Sequence, residues 1–196
     1  MCNMKRLYFS FVANLFLVIS LSGCGYNSMV SMREDATAQL AQVENAYQRR
    51  YDLIPNLVEV AKEYATHEKG VFVDIADARS RIGQGKIDPA QMTEESLLAY
   101  QAAQNSLGGA LSRLLVLKEA YPELKANEQF NKLSDELSGT ENRIAHERRS
   151  FNEKAREYNQ YIQQIPQSFY AGSFGFKQIP YFKSDEGAQH APKVKF

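Results

Sequence analysis

The sequence predicts an all-α protein, folded as an antiparallel up-and-down bundle of long helices. Apolar residues recur at steps of three and four from Met29 onward, as they do in helices that bury one face. Six prolines interrupt the 196 residues, so long stretches contain no helix breaker. Hydrophobic residues make up 44% of the chain, which is enough for one domain with its own core.

The first helical stretch carries an apolar stripe that crosses a proline. Pro55 removes one backbone hydrogen bond and crowds the preceding turn, so we expect a kink or a complete break there. We favour the break, which gives four helical segments with the first pair separated at Pro55. The pattern resumes after the proline and ends at Gly83-Gln84-Gly85. The stripe consists of Leu40, Val43, Tyr47, Tyr51, Ile54, Leu57, Ala61, Tyr64, Phe72, Ile75 and Ile82.

Two further helical stretches follow. The dipeptide Asp88-Pro89 predicts the next helix start, with the aspartate as N-cap and the proline at the first helical position. Gly108-Gly109 in the middle of this stretch either weakens the helix or permits the close approach of a neighbour. Pro122 is expected to end it. The third stretch, residues 130–165, has the clearest apolar stripe in the chain.

The segment after Pro166 is rich in aromatic residues and glycine. We expect a non-helical strap that caps one end of the bundle. The alternative is a patch that binds a partner or touches a membrane. The helical domain with its strap then covers residues 24–182, and the polar residues 183–196 form a flexible tail. The aromatic residues of the strap are Phe169, Tyr170, Phe174, Phe176, Tyr181 and Phe182.

The amino terminus has the layout of a secretory signal. Lys5-Arg6 precedes an apolar run from Leu7 to Leu21, and small residues follow. This run is shorter than the roughly 20 residues that a membrane-spanning helix needs. Leu21-Ser22-Gly23-Cys24 resembles a bacterial lipobox, which implies cleavage before Cys24 and lipid transfer to its thiol. We therefore expect residues 1–23 to be a signal peptide; an uncleaved transmembrane anchor is the alternative.

Lipidation would attach the exported domain to a membrane of the bacterial cell envelope. Cys2 leaves with the signal and Cys24 is acylated, so the mature chain keeps no thiol for a disulfide or a metal. Cleavage also leaves 21 basic residues against 23 acidic ones, so attachment depends on the lipid and not on charge. Gly25 after the cysteine resembles the outer-membrane sorting pattern, which implies the periplasmic face of the outer membrane in a Gram-negative host.

The sequence carries no recognisable catalytic, cofactor or metal motif. His67-Glu68 and His146-Glu147 both begin like the zinc motif His-Glu-x-x-His, but Val71 and Ser150 occupy the positions of the second histidine. Gly172-Ser173-Phe174-Gly175 is one residue shorter than a nucleophile elbow. Equal numbers of basic and acidic residues give no electrostatic footprint for nucleic acid. We therefore predict a protein that is not an enzyme and that binds neither a cofactor nor nucleic acid.

Three blocks of the sequence resemble the signature of the LemA family. The resemblance covers roughly Met29 to Phe182, and it implies an all-α bundle on an amino-terminal membrane segment, with no established molecular activity. Many members have a transmembrane helix where this chain has a lipobox, and Phe151 stands where the family usually has tyrosine. The blocks are Arg49-Arg50-Tyr51-Asp52-Leu53-Ile54-Pro55-Asn56-Leu57-Val58, then Glu119-Ala120-Tyr121-Pro122-Glu123-Leu124-Lys125-Ala126-Asn127 with Phe130, then Thr140-Glu141-Asn142-Arg143-Ile144 with Arg148 and Phe151-Asn152.

Polar residues of the first and third blocks form the candidate site. We interpret them as cross-helix ion pairs and hydrogen bonds that fix helix register. The rival interpretation is a binding site for an anionic ligand, because arginine holds carboxylate or phosphate with two hydrogen bonds. The residues are Arg49, Arg50, Asp52, Asn56, Glu141, Asn142, Arg143 and Arg148.

The function that we favour is a non-enzymatic, lipid-anchored scaffold or adaptor for other proteins of the cell envelope. One alternative is an envelope hydrolase, which would need a deep pocket with converging acids. Another is an anionic-ligand-binding protein that uses the arginine and glutamate cluster. A third is a homo-oligomer that shapes the membrane surface, which sedimentation as a monomer would contradict.

We expect Cys24 to carry the lipid, so the substitution Cys24→Ser should move the protein from the membrane fraction to the soluble fraction. Intact-mass analysis of the wild type should give a chain that begins at residue 24 and carries the added mass of acyl chains. An unmodified, full-length amino terminus would contradict this prediction.

Overall fold

The structure, a computed structural model, describes residues 2–82, 88–89 and 91–183, with side chains from Gly25 onward. Within these residues the chain is helical and no strand occurs, which confirms the predicted all-α fold. The side chains of the predicted signal peptide and of Cys24, together with Gly83-Gln84-Gly85 and the tail beyond residue 183, lie outside this description. The helices are α1 (Cys2–Tyr64), α2 (Lys69–Ile82), α3 (Glu94–Ala120), α4 (Pro122–Ala126) and α5 (Glu128–Gln163), followed by a 3-10 helix, Gln167–Phe169.

Pro55 lies inside α1, and the helix continues through it to Tyr64. The expected complete break at Pro55 is therefore wrong. Ile54 and Leu57, on either side of the proline, are buried in the same core. Their packing stabilises the helix across Pro55 and offsets the lost hydrogen bond. The first pair of helical segments is instead separated after Tyr64, by a turn at residues 65–68.

Helix α3 begins later than the sequence suggested. Asp88 is not an N-cap; its carbonyl oxygen accepts a hydrogen bond from the Gln91 N–H in a turn. The N-cap is Thr93, whose hydroxyl oxygen accepts from the Ser96 N–H at 3.1 Å. The Ser96 hydroxyl oxygen accepts in return from the Thr93 N–H at 3.0 Å. This reciprocal pair satisfies two helix-end donors, so it defines the start more strongly than an aspartate alone.

The connection from α3 to α5 agrees with the expected end at Pro122, which is the first residue of α4. The Tyr121 hydroxyl donates to Glu68 at 3.0 Å. Asn127 precedes α5 and accepts from the Phe130 N–H at 2.8 Å, so it caps that helix. The Asn127 amide also donates to the Tyr64 hydroxyl at 3.0 Å. These bonds hold the ends of α1, α3 and α5 in one place.

The chain forms two compact units, and α1 and α5 contribute residues to both. The main unit comprises Gln39–Asn152 and Pro180–Phe196, and its core draws residues from all five helices. The terminal unit comprises Met1–Ala38 and Glu153–Ile179. In the part of the chain whose side chains are described, no helix has the length and apolar character needed to span a bilayer. The core of the terminal unit contains Met29, Tyr158, Ile162, Ala171 and Phe176.

Two glycines of this fold should respond oppositely to alanine. Gly109 is helical, and nothing lies within 4 Å of an added Cβ, so Gly109→Ala should raise the free energy of unfolding by about 1 kcal/mol. Gly175 has a φ of 77°, where a side chain is strained, so Gly175→Ala should lower it by about 1 kcal/mol. Urea unfolding of both variants measures the two changes. A loss of stability in Gly109→Ala would mean that a neighbour does approach this face of α3.

Candidate functional site: a buried arginine beside a polar groove

The guanidinium of Arg50 lies inside the main unit, where the residue is 3% exposed. Its Nη1 donates to both carboxylate oxygens of Glu141 on α5, at 2.9 and 3.2 Å. Its Nη2 donates to the main-chain carbonyl oxygen of Gln104 on α3 at 3.1 Å, and to the side-chain oxygen of the same residue. A buried charge is tolerated only where it is paired and hydrogen-bonded. One cation on α1 thus connects α1, α3 and α5.

One aromatic ring lies against this cation, and a second ring packs on the first. The ring centre of Tyr47 lies 5.1 Å from the guanidinium carbon of Arg50, within the range of a cation–π contact. Tyr100 meets Tyr47 edge to face, with 5.5 Å between ring centres. Burial raises the pKa of the Tyr100 phenol far above its ordinary value, and the nearby Tyr47 and Glu44 raise it further. Tyr100 therefore remains a neutral phenol at physiological pH. We call Arg50, Gln104, Glu141, Tyr47 and Tyr100 the Arg50 cluster.

An open polar groove of about 590 Å³ lies between α1 and α5 in the main unit. Arg49 crosses it and binds Glu136 at 2.7 Å, while the Arg49 side chain stays 61% exposed. The Asp52 carboxylate accepts from the Gln48 amide at 2.8 Å. The groove therefore presents both signs of charge side by side. Its lining consists of Gln42, Asn45, Ala46, Gln48, Arg49, Asp52, Leu53, Glu136 and Arg143.

The structure divides the residues of the predicted site among several places. Arg49, Asp52 and Arg143 line the groove, whereas Arg50 is buried and pairs with the partly exposed Glu141. Arg143 also pairs with Glu147, one helical turn away, at 3.5 Å. Asn56 and Asn142 are exposed and lie outside the groove lining.

Arg148 contacts the carboxyl-terminal segment of the chain. Its Nη2 donates to the carbonyl oxygen of Lys183 at 2.6 Å, and its guanidinium carbon lies 5.4 Å from the ring centre of Phe182. In the main unit this residue therefore holds extended chain against α5.

Side-chain amides hold the strap in a repeated way that the sequence analysis missed. Asn152 donates to the Phe182 carbonyl and accepts from the Phe182 N–H, both at 2.9 Å. Gln101 bonds Lys183 in the same two-way manner, at 2.7 and 3.1 Å. Each amide supplies one donor and one acceptor, as a neighbouring strand would. These pairs satisfy the main chain of a segment that has no strand beside it.

The terminal unit contains a pair of the same kind. The Asn159 amide donates to the Ile179 carbonyl at 2.7 Å and accepts from the Ile179 N–H at 2.8 Å. Asn159, Gln101 and Gln104 are buried polar residues among apolar helix positions. An amide on an apolar stripe is the sequence signal that could have indicated such pairs.

The remaining motifs are not brought together into a site. His67 and His146 are both exposed. Among the described residues, no group of three or more histidine, cysteine, aspartate or glutamate side chains converges as metal ligands would. Gly172 and Gly175 lie in a tight turn, where the Gly175 N–H donates to the Gly172 carbonyl at 3.1 Å.

The Arg50 cluster predicts a large difference between two adjacent arginines. Arg50→Met leaves the Gln104 oxygens and Glu141 without their cationic donor, so the free energy of unfolding should fall by about 3 kcal/mol. Arg49→Met removes an exposed ion pair and should change it by less than about 1 kcal/mol. Urea unfolding measures both. Equal losses in the two variants would show that the buried arginine stabilises the fold no more than the exposed one.

Comparison with known proteins identifies the family. The LemA family model matches residues 39–196, which include Arg50 and all of its partners. The magnetosome protein MamQ of Magnetospirillum gryphiswaldense is 32% identical over 174 residues, covering 80% of this chain and 64% of that protein. Magnetosome proteins MamQ 1 and MamQ 2 of Paramagnetospirillum magneticum are each 30% identical over 175 residues, covering 81% and 64%. This chain therefore spans slightly less than two thirds of the length of these relatives. The chain belongs to the LemA family.

Proposed function

We propose that this LemA-family protein is a non-enzymatic scaffold of the bacterial cell envelope, anchored by a lipid on Cys24, that binds another envelope protein in its polar groove. The observation that carries the proposal is the opposite placement of two adjacent arginines. Arg50 is buried and fixes three helices, whereas Arg49 stands in the groove with most of its side chain exposed. The groove is thus a polar surface on helices that Arg50 holds in place.

The charges of the groove suit a protein partner. Arg49 and Glu136 are paired at 2.7 Å, but both side chains are accessible to solvent. An exposed ion pair contributes at most about 1 kcal/mol, so a partner can replace either member with a charge of its own at little cost. Asp52 and Arg143 extend the alternation of signs along the groove. Such a pattern selects a partner with complementary charges and disfavours others.

The anchor rests on the sequence of the amino terminus. The lipobox at residues 21–24 supports attachment by acyl chains, and Gly25 supports the periplasmic face of the outer membrane in a Gram-negative host. The names of the relatives state a magnetosome association and no reaction. A scaffold role agrees with those names. That this chain binds a protein partner is part of our proposal.

Binding of a small anionic ligand is the second candidate, because two arginines line the groove. Each of them already has a carboxylate partner: Glu136 binds Arg49 at 2.7 Å, and Glu147 lies 3.5 Å from Arg143. A small anion would have to displace these acids without bringing a positive charge to pair with them. A protein surface can offer both signs, which favours the scaffold.

Reversing the charges of the groove should abolish partner binding and leave the fold intact. We expect Arg49→Glu with Glu136→Arg to keep the internal ion pair, and therefore the melting temperature, while inverting the pattern that a partner meets. The measurement places a photo-crosslinking residue at Gln42, in the groove, and identifies crosslinked proteins from intact membranes by mass spectrometry. The same partner should appear in replicate wild-type samples and disappear in the double variant.

The matched control is the Asp74–Arg113 ion pair, which is also exposed and has a 2.9 Å separation. Neither residue lines the groove. The reversal Asp74→Arg with Arg113→Glu should leave the crosslinked partner unchanged. Crosslinks that survive the groove reversal, or the absence of any reproducible crosslink, would overturn the scaffold proposal. Loss of inorganic phosphate binding in the groove variant, with no protein partner, would favour the second candidate instead.

A further inference from the structure

The terminal unit exposes large apolar side chains beside one another. Phe174 is 59% exposed, and its ring centre lies 5.3 Å from that of Tyr26, which is 41% exposed. Ile165 and Phe169 are each 78% exposed on the segment that leads to Phe174. Burying side chains of this size is worth about 2 kcal/mol each, so their exposure to water is costly. We call the contacting pair Tyr26 and Phe174 the aromatic patch.

The patch lies against the first residues of the predicted mature chain. The Tyr170 hydroxyl occupies the position that a Cβ on Gly25 would need, and the Gln167 amide nitrogen lies 3.8 Å from that position. The segment around residues 167–174 is thus in contact with the residue directly after Cys24. Tyr26 follows Cys24 by two residues on helix α1, a rise of about 3 Å.

We propose that the aromatic patch inserts into the interfacial region of the lipid bilayer and holds the terminal unit against it. The proposal deepens the proposed function and rests on the amino terminus being attached to a membrane. Acyl chains on Cys24 would enter the bilayer within a few ångströms of Tyr26, and an uncleaved anchor would end at the same residue. Interfacial helices bury their apolar face about 5–10 Å deep, which includes the patch at this distance from the anchor.

The chemistry of the patch matches the interface of a bilayer. Tyrosine and other aromatic side chains favour the headgroup level, where their rings are buried and their polar atoms stay hydrated. Charge gives no comparable attraction. Within residues 25–38 and 153–179 of the terminal unit, the number of basic residues (Arg33, Lys154, Arg156 and Lys177) equals the number of acidic ones (Glu34, Asp35, Glu153 and Glu157). Insertion of the patch should therefore need no anionic lipid, and its extent should not fall when salt is added.

The absence of tryptophan from the sequence gives a direct test. Full-length Phe174→Trp protein, purified from membranes, is reconstituted into phosphatidylcholine vesicles that carry brominated acyl chains. We expect a blue-shifted tryptophan emission that bromine quenches, more strongly for bromine near the headgroups than for bromine near the bilayer centre. Added salt should not change the quenching. The control is Val116→Trp on α3, which replaces an apolar residue of similar exposure, 67%, outside the patch.

Each outcome decides the proposal. Quenching of Phe174→Trp well above that of Val116→Trp supports it. Equal quenching of the two variants overturns it, and so does a blue shift without quenching, which would mean that protein covers the patch, as in contact with a second copy. A melting temperature equal to the wild type shows that the tryptophan has not disturbed the fold.

Failure of the scaffold proposal and failure of the membrane-insertion proposal are detected by different measurements. Intact mass reports the lipid on Cys24, and crosslinking in the groove reports the partner; neither measures the depth of Phe174. If the intact mass shows an uncleaved amino terminus, co-sedimentation with vesicles still reports membrane attachment. The quenching test then still reports whether residue 174 enters the bilayer. A chain that does not sediment with vesicles in any form would overturn the patch as well.

Discussion

Burial of the Arg50 charge is the constraint on which the main unit depends. Removing a guanidinium from water costs several kcal/mol unless acceptors replace the lost hydration. The acceptors come from α3 and α5, at Gln104 and Glu141, so both helices must lie in one register relative to α1. A shift of either helix by one residue would turn its acceptor away. Apolar packing alone tolerates such shifts more readily, because many apolar side chains can fill the same space.

The LemA signature can now be understood as a description of this internal geometry. Its first block supplies Arg50, and its third block supplies Glu141 and the strap-holding Asn152. Its second block forms the connection in which Tyr121 bonds Glu68 and Asn127 caps α5. All three blocks lie in the main unit. The signature therefore accounts for the fold of that unit, and only its exposed members, such as Arg49, are available to a partner.

The sequence predicted the helices better than their ends, for a physical reason. An apolar stripe reports burial over many residues, whereas a helix end depends on a few local bonds that compete with packing. At Pro55 packing prevailed over a breaker, and at Asp88 a weaker cap lost to the reciprocal pair of Thr93 and Ser96. The sequence could have predicted that Arg50 points inward, since Arg50 lies three residues after Tyr47 and four before Ile54 on the buried stripe. An amide on an apolar stripe indicates that a pair forms but not its partner, because no local pattern relates Asn152 to Phe182, which is thirty positions away.

Under the proposed lipidation of Cys24, the contact between Gly25 and Tyr170 places a sorting signal and a packing contact at the same position. The outer-membrane sorting pattern that the amino terminus resembles has a residue other than aspartate after the cysteine, so exchanging Gly25 for aspartate is expected to change the destination of a lipidated chain. In this chain that exchange would also drive a side chain into the space of the Tyr170 hydroxyl. A mislocalised Gly25 variant would therefore report a mixture of altered address and altered packing.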